Sequence, residues 1–207
     1  MRNQMVMAAV AALAASLCGV TLHAQTSVAL SAYGAFSGAT DANGVQQSPS
    51  NSAGGMVELR HVANPVLGFE GTYSFNRANQ TYTGPTQCPS GVVSCPPTTI
   101  NAVKADAHEL TLDWVPSIGL ANFRPFGVLG IGALINVPSS GQSNTQTSTK
   151  AVYVYGAGLD WALLPHVGLR LQYRGNLYKS PDVTQLFTSV DKFTHTAEPM
   201  IGVYFNL

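Results

Sequence analysis

From about residue 25 onward, apolar residues return at every second position in short stretches bounded by turn residues, and convincing helical periodicity is absent. A chain with that rhythm must build sheet. Eight candidate strands follow from it, at 26–37, 54–62, 66–77, 103–115, 123–136, 150–162, 167–178 and 195–207. The connections between them alternate in length. Residues 38–53, 78–102, 137–149 and 179–194 form long polar links, whereas 63–65, 116–122 and 163–166 are tight. Such alternation gathers every long loop at one end of an up-and-down barrel. The expected fold class is therefore all-β: an eight-stranded antiparallel up-and-down transmembrane β-barrel.

The two faces of the strands differ sharply in chemistry. Leu67, Phe69, Tyr73 and Phe75 oppose Glu70, Thr72, Ser74 and Asn76; Leu110, Leu112 and Trp114 oppose Glu109, Thr111 and Asp113. Val167, Leu169, Leu171 and Tyr173 oppose Arg170, Gln172 and Arg174, and Ile201, Val203, Phe205 and Leu207 oppose Glu198 and Asn206. In 54–62, Glu58 and Arg60 oppose Val57 and Leu59. Parity is open in strands one, five and six, which are apolar on both faces; there Arg124, Gly130 and Gly132 fit one face, and Gly156, Gly158 and Asp160 another.

Parity alone fits either a soluble barrel with its apolar face inward or a membrane barrel with that face outward. Only 10% of residues are charged, far below the usual quarter of a soluble domain. The polar face mixes both signs with small residues, which suits the narrow lumen of eight strands. Aromatic residues fall at strand ends. Threading from a periplasmic N-terminus sets Tyr73, Phe75, Tyr153, Tyr155 and Tyr173 near the outer rim, and Trp114, Phe123, Trp161 and Phe205 near the inner one. The membrane reading is preferred. The net charge is zero, so nucleic acid is not an expected partner.

Arg2, the apolar run Met5–Val20 and the small residues before Gln25 read as a signal peptide over 1–24, leaving a barrel domain over 25–207. The run is short for a membrane helix, and Leu17 stands before Cys18 where a lipobox wants a small residue. Cys88 and Cys95 remain in one Pro/Gly/Ser-rich loop, and after export the expected state is a disulfide. No histidine sits beside them in sequence, so no metal site is expected.

The closing segment Ile201-Gly202-Val203-Tyr204-Phe205-Asn206-Leu207 resembles the C-terminal assembly signal of outer-membrane barrels, with Leu207 where a Phe is usual. The segments RPFGVLGIGALI at 124–135 and YVYGAGLDWALLPHVGLRLQYRG at 153–175 resemble the OmpA-like, or opacity-type, outer-membrane β-barrel family. That resemblance implies the outer membrane, with loops extracellular and both termini periplasmic. It also implies surrounding lipid and lipopolysaccharide as partners, insertion by the barrel-assembly machinery through the last strand, and a monomer. The expectation is of a barrel alone, with no peptidoglycan-binding domain after it. The family's members serve as envelope components, adhesins and surface antigens.

The candidate site is a lumen charge network of Glu58, Arg60, Glu70, Glu109, Asp113, Arg124, Asp160, Arg170, Arg174 and Glu198. A proton or ion path is one reading of it. A set of mutually satisfied buried charges is the preferred one. No cofactor and no catalytic residue are expected. A lipid A deacylase would need a His and a Ser two residues apart; His195 is followed at that spacing by Ala197, and Thr196 points to the other face. His61, His108 and His166 lie near strand ends, and Asn79-Gln80-Thr81 is a sequon without consequence in a bacterium. A soluble lipocalin-like binding barrel is the remaining alternative. Pro199 interrupts the last strand and is expected to leave a local defect in the ladder.

Overall fold

The computed structural model describes residues 25–84, 99–187 and 189–207. The signal segment 1–24 and both loop cysteines, Cys88 and Cys95, lie outside the described residues. Among the described residues there are ten strands: β1 (Gln25–Ser37), β2 (Thr40–Ala42), β3 (Val45–Pro49), β4 (Ser52–Val62), β5 (Gly68–Gly84), β6 (Thr99–Trp114), β7 (Phe123–Pro138), β8 (Ser148–Leu164), β9 (Val167–Lys179) and β10 (Phe193–Asn206).

Eight of them close on themselves. Each long strand pairs antiparallel with its neighbours, and β1 meets β10 through registers such as Leu30↔Val203 to seal the cylinder. Closure leaves no free edge, the condition for placing sheet in lipid. The short turns and both ends of the barrel chain lie at one rim, and the long connections at the other. In the turn before β5, Asn64 Oδ1 accepts from the backbone N–H groups of Val66 and Leu67, so that strand starts at Gly68 rather than 66.

Several strands run further than apolar alternation suggests. β5 has 17 residues and β6 has 16, against the 9–11 that a tilted membrane strand needs. Within the expected 78–102 loop, residues 78–84 and 99–102 are instead ladder, with Asn79↔Lys104 and Thr83↔Ile100 still in register. Beyond the apolar band the outward face turns polar, with Arg77, Asn79, Thr81, Lys104 and Asp106, so the pairing continues where the outward hydrophobic signature stops. The 38–53 link likewise contains the β2–β3 hairpin. Asn43 and Gly44 both have positive φ, 55° and 75°, and Ala42 faces Val45. This is the two-residue turn that an Asn-Gly pair favours. β3 then pairs with β5 from Gln46↔Thr83 to Pro49↔Gln80, continuing the row that β4 leaves at Gly54↔Asn76.

The outward side chains form an uncharged belt: Leu30, Val57, Leu59, Phe69, Leu110, Leu112, Leu129, Ile131, Leu171, Ile201 and Val203 are all exposed. Charge reappears outward at Arg77 and Asp106, a cross-strand pair nearer the loop end, joined by Nη2–Oδ2 at 2.7 Å. The Arg77 guanidinium holds the Asp106 carboxyl below its usual range. Inward, β7 contributes Phe126 and Val128 as well as Gly130 and Gly132, which settles the parity that the sequence left open. Pro199 pairs with Tyr173 on β9, but the β1–β10 ladder runs from Tyr33↔Met200 to Phe36↔Ala197 without pairs between. The missing proline N–H accounts for the gap.

Candidate functional site

Six carboxylates and three guanidiniums are packed inside the barrel. Glu58, Glu70, Glu109, Asp113, Asp160 and Glu198, with Arg60, Arg170 and Arg174, are all at most 5% exposed. They come from β4, β5, β6, β8, β9 and β10, whose alternation turns every second side chain inward. Isolated charges would not persist there; what holds these is mutual contact.

The tier nearer the chain termini centres on Arg60 and Arg170. Arg60 Nε donates to Glu70 Oε2 at 2.6 Å, and Arg60 Nη1 to Asp160 Oδ2 at 3.2 Å. Arg170 grips Asp160 with two donors, Nε to Oδ1 at 2.7 Å and Nη2 to Oδ2 at 3.0 Å. It also donates to Glu58 and, at 3.2 Å, to Glu70. Forked contacts of this kind are the stronger form of ion pair. Ser31 Oγ donates to the second oxygen of Glu58 at 3.1 Å. The Arg60 guanidinium carbon lies 3.9 Å from the centre of the Phe126 ring, an attraction to the negative face of the ring.

The tier nearer the loops has one cation, Arg174. It donates to Asp113 at 2.8 Å and to Thr111 Oγ1 at 3.1 Å, and lies 3.7 Å from Glu109. At 4.0 Å from Glu70 it ties the tiers together. Gly130 makes room for this arrangement: a Cβ there would lie 1.8 Å from Asp113 Oδ1. Gly158 does the same for Phe126, whose Cζ would be 2.3 Å from an added Cβ.

Nine of the ten residues singled out in the sequence thus share one interior. Arg124 stands apart: it is half-buried at the terminus-end mouth, beside Asp160, with no ion-pair partner within 4.0 Å among the described residues. Glu198 is opposite Arg174 in register, yet the guanidinium turns toward Asp113, and Glu198 has no ion-pair partner among the described residues either. Phe126, Thr111, Asn176 and Ser31 join the network without having been singled out. For Phe126 a signal existed, because it shares the parity of Arg124 and Gly130.

The girdle residues Tyr73, Phe75, Trp114, Tyr153, Trp161, Tyr173 and Phe205 all point outward and are 37–51% exposed. Trp114 lies opposite Phe69, Phe123 opposite Trp161, and Phe205 opposite Val167, all toward the short turns. Trp114 Nε1 donates to the Val66 carbonyl at 2.6 Å. Tyr73, Phe75, Tyr153 and Tyr155 lie toward the loops, where Tyr73 Oη is 2.9 Å from His108 Nδ1 and Tyr155 Oη is 2.8 Å from His195 Nε2. His195 is therefore on the outer wall. Thr196 faces inward to Ser37 and Tyr178, so the two never approach as a nucleophile and its base must.

Above the network the loop end carries a second core. Val45, Tyr82, Val103, Ala105, Val183, Phe187 and Val190 pack together across the β2–β3 hairpin, the β5–β6 extension and the segment after β9. Gln47 Nε2 donates to Gln80 at 3.0 Å and to the Pro181 carbonyl at 3.2 Å beneath it.

A family model described as "Outer membrane protein beta-barrel domain" matches residues 6–197. The chain belongs to this outer-membrane barrel family. Neisserial surface protein A (NspA) is similar in structure, with TM-score 0.55, 14% identity, 88% of this chain covered and 98% of that one. The outer membrane protein OprG of Pseudomonas aeruginosa gives TM-score 0.51 and 14% identity, with 88% and 96% covered. At such identity these likenesses show the fold that members of the family share. No curated protein is matched.

Proposed function

We propose that this barrel is a non-catalytic surface scaffold of the outer membrane, which holds a structured loop platform outside the cell for adhesion or another surface interaction. The observation that carries the reading is the contrast between the two halves of the interior. The lumen within the apolar belt is filled with ion pairs, which suits a post rather than a pore. The loop end is organised by its own core of Val45, Tyr82, Val183 and Phe187.

On this reading the loops are extracellular and both termini periplasmic, residues 1–24 are removed on export, and Cys88 and Cys95, between β5 and β6 in sequence, are bonded to each other. Outward Arg77 and Lys104, just past the apolar belt, stand at the level of lipopolysaccharide phosphates. The chain acts as a monomer inserted through β10 by the assembly machinery. The absence of catalysis is part of the same proposal, supported by the separation of His195 from Thr196 by the barrel wall.

The test replaces residues 40–49 by a short Gly-Ser link and compares attachment of cells carrying either form to a panel of surfaces. The expected result is loss of attachment with the unheated gel shift of the barrel retained. Undiminished attachment, together with solute uptake that responds to lumen variants, would replace the scaffold by a channel.

A further inference from the structure

The mouth of the barrel beside the chain termini holds a cation that the lumen network leaves over. Arg124, at the start of β7, faces Asp160 across the β7–β8 ladder. Both Asp160 oxygens are already taken, Oδ1 by Arg170 Nε and Oδ2 by Arg170 Nη2 and Arg60 Nη1. Arg124 is half-buried and yet has no ion-pair partner among the described residues.

A pocket of about 90 Å³ opens in front of it, several times the roughly 10–15 Å³ that one bound water requires. Ser27, Asn122, Tyr204 and Asn206 line it together with Arg124 and Asp160. Ser27 and Tyr204 are only 7% and 6% exposed, but neither hydroxyl has a hydrogen-bond partner among the described residues. Hydroxyls enclosed to that degree ordinarily find one. Two independent signs therefore meet in one pocket: a guanidinium without a counter-charge, and two orphaned hydroxyls on the opposite strands β1 and β10. Hydroxyl and amide groups can all donate, and the one acidic group in the lining is occupied. What the pocket lacks is a negatively charged acceptor.

The balance of charge selects the kind of anion. With Arg124 included, Arg60, Arg124 and Arg170 stand against Glu58, Glu70 and Asp160, and this end of the interior is neutral. A single negative charge is matched by Arg124 at the mouth. A doubly charged phosphate would leave an excess beside Asp160 with nothing to offset it. A planar carboxylate also fits the guanidinium fork, which holds both of its oxygens at once.

We propose that this mouth binds a single carboxylate group, held by the Arg124 guanidinium and completed by the hydroxyls of Tyr204 and Ser27. On the orientation proposed above the mouth opens to the periplasm, so the carboxylate is a free small acid or a peptide chain end from that compartment. Only the compartment rests on that orientation; the binding does not, and it is tested in micelles, which have no sides.

The refolded mature barrel, in zwitterionic detergent and carboxylate-free buffer at neutral pH, is titrated with acetate, N-acetyl-dialanine, the C-terminal amide of that peptide, and inorganic phosphate. Calorimetry and ligand-observed NMR should find one saturable site per barrel for the two carboxylates, with the amide and phosphate weaker by roughly tenfold or more. Tighter binding of the peptide assigns the site to a chain end, and equal affinity assigns it to a free acid. Arg124→Met breaks no ion pair, so the unheated gel shift should persist while both carboxylates weaken by roughly tenfold or more. Tyr204→Phe keeps the ring that lies 5.7 Å from the Arg170 guanidinium carbon and should weaken them by roughly three- to tenfold. Lys192→Gln, at the loop end, should change neither. Absence of saturable carboxylate binding by the parent barrel would overturn the proposal, because water alone would then serve the pocket. So would unchanged affinity in Arg124→Met, and so would equal binding of the amide or of phosphate.

Discussion

Arg170→Ala is the most informative single perturbation of the lumen. Arg170 is fully buried and donates to Asp160, Glu58 and Glu70. Its loss leaves those three carboxylates with Arg60 as the one remaining cation in contact with them, apart from the distant Arg174. Breaking a buried ion pair from one side costs about 3–5 kcal/mol, and the upper part of that range is expected for a residue serving three acids. Glu58→Gln should cost less, about 1–3 kcal/mol, because Arg170 retains Asp160 and Glu70. In the double variant the carboxylate stranded by Arg170→Ala is already neutral. Its cost should fall short of the sum of the singles by about 0.5–3 kcal/mol. Urea unfolding in lipid vesicles, followed by the fluorescence of Trp114 and Trp161 and by unheated gel mobility, measures all three. Changes below about 1 kcal/mol for both singles, the range of solvated surface pairs, would mean that these charges face water and that the barrel is inside out.

Other outcomes follow from the same interior. Leu171→Arg, on the outward belt, should cost about 2–4 kcal/mol if it lies near the bilayer midplane, measured by the same vesicle assay. Gly130→Val drives its Cβ into Asp113, and overpacking of this kind should cost about 1–3 kcal/mol or more, with slower refolding visible on unheated gels. Phe187→Ala should open the loop-end core by about 3–5 kcal/mol, seen as new protease cleavage near 180–192 while the barrel remains shifted on gels. Burial raises the Tyr82 phenol above its usual value of 10.0. The folded cap therefore binds the proton more tightly than the unfolded one: its stability is intact below about pH 10 and declines above it. Protease sensitivity of the cap should increase in that window, and Tyr82→Phe should remove this contribution.

The parts of the fold that were legible are those where water and lipid impose opposite demands on the two faces of a strand. Glu70 against Phe69, or Arg170 against Leu171, leaves no doubt about which way each side chain turns once the strand is recognised. The demand vanishes in two places. In β7 the inward face carries Phe126, Val128 and Leu134, because one wall of the lumen packs apolar surface against guanidinium groups, so both faces read alike. Past Arg77 and Asp106 the outward face is polar and it is the inward one that carries Tyr82, Val103 and Ala105, so the alternation no longer matches that of the belt along the ladder to Gly84 and Thr99. The β2–β3 hairpin has a local signal in Asn43-Gly44, a turn pair inside an otherwise polar link. Membership of the charge network was legible from parity, but its pairing was not: Glu198 faces Arg174 across two strands, and only the three-dimensional path of the guanidinium assigns it to Asp113 instead.

Accessibility scanning along β9 tests most directly which face meets the membrane. Single nitroxide labels would be placed at residues 169–177, in a background with Cys88 and Cys95 replaced by serine, and reconstituted in vesicles. Collision with oxygen, which concentrates in the bilayer, should peak at 169, 171, 173 and 177, and labels at 170, 172 and 174 should be shielded from both oxygen and a water-soluble nickel complex. Oxygen peaks at 170, 172 and 174, with the odd positions shielded, would contradict a lipid-facing apolar belt around a charged lumen.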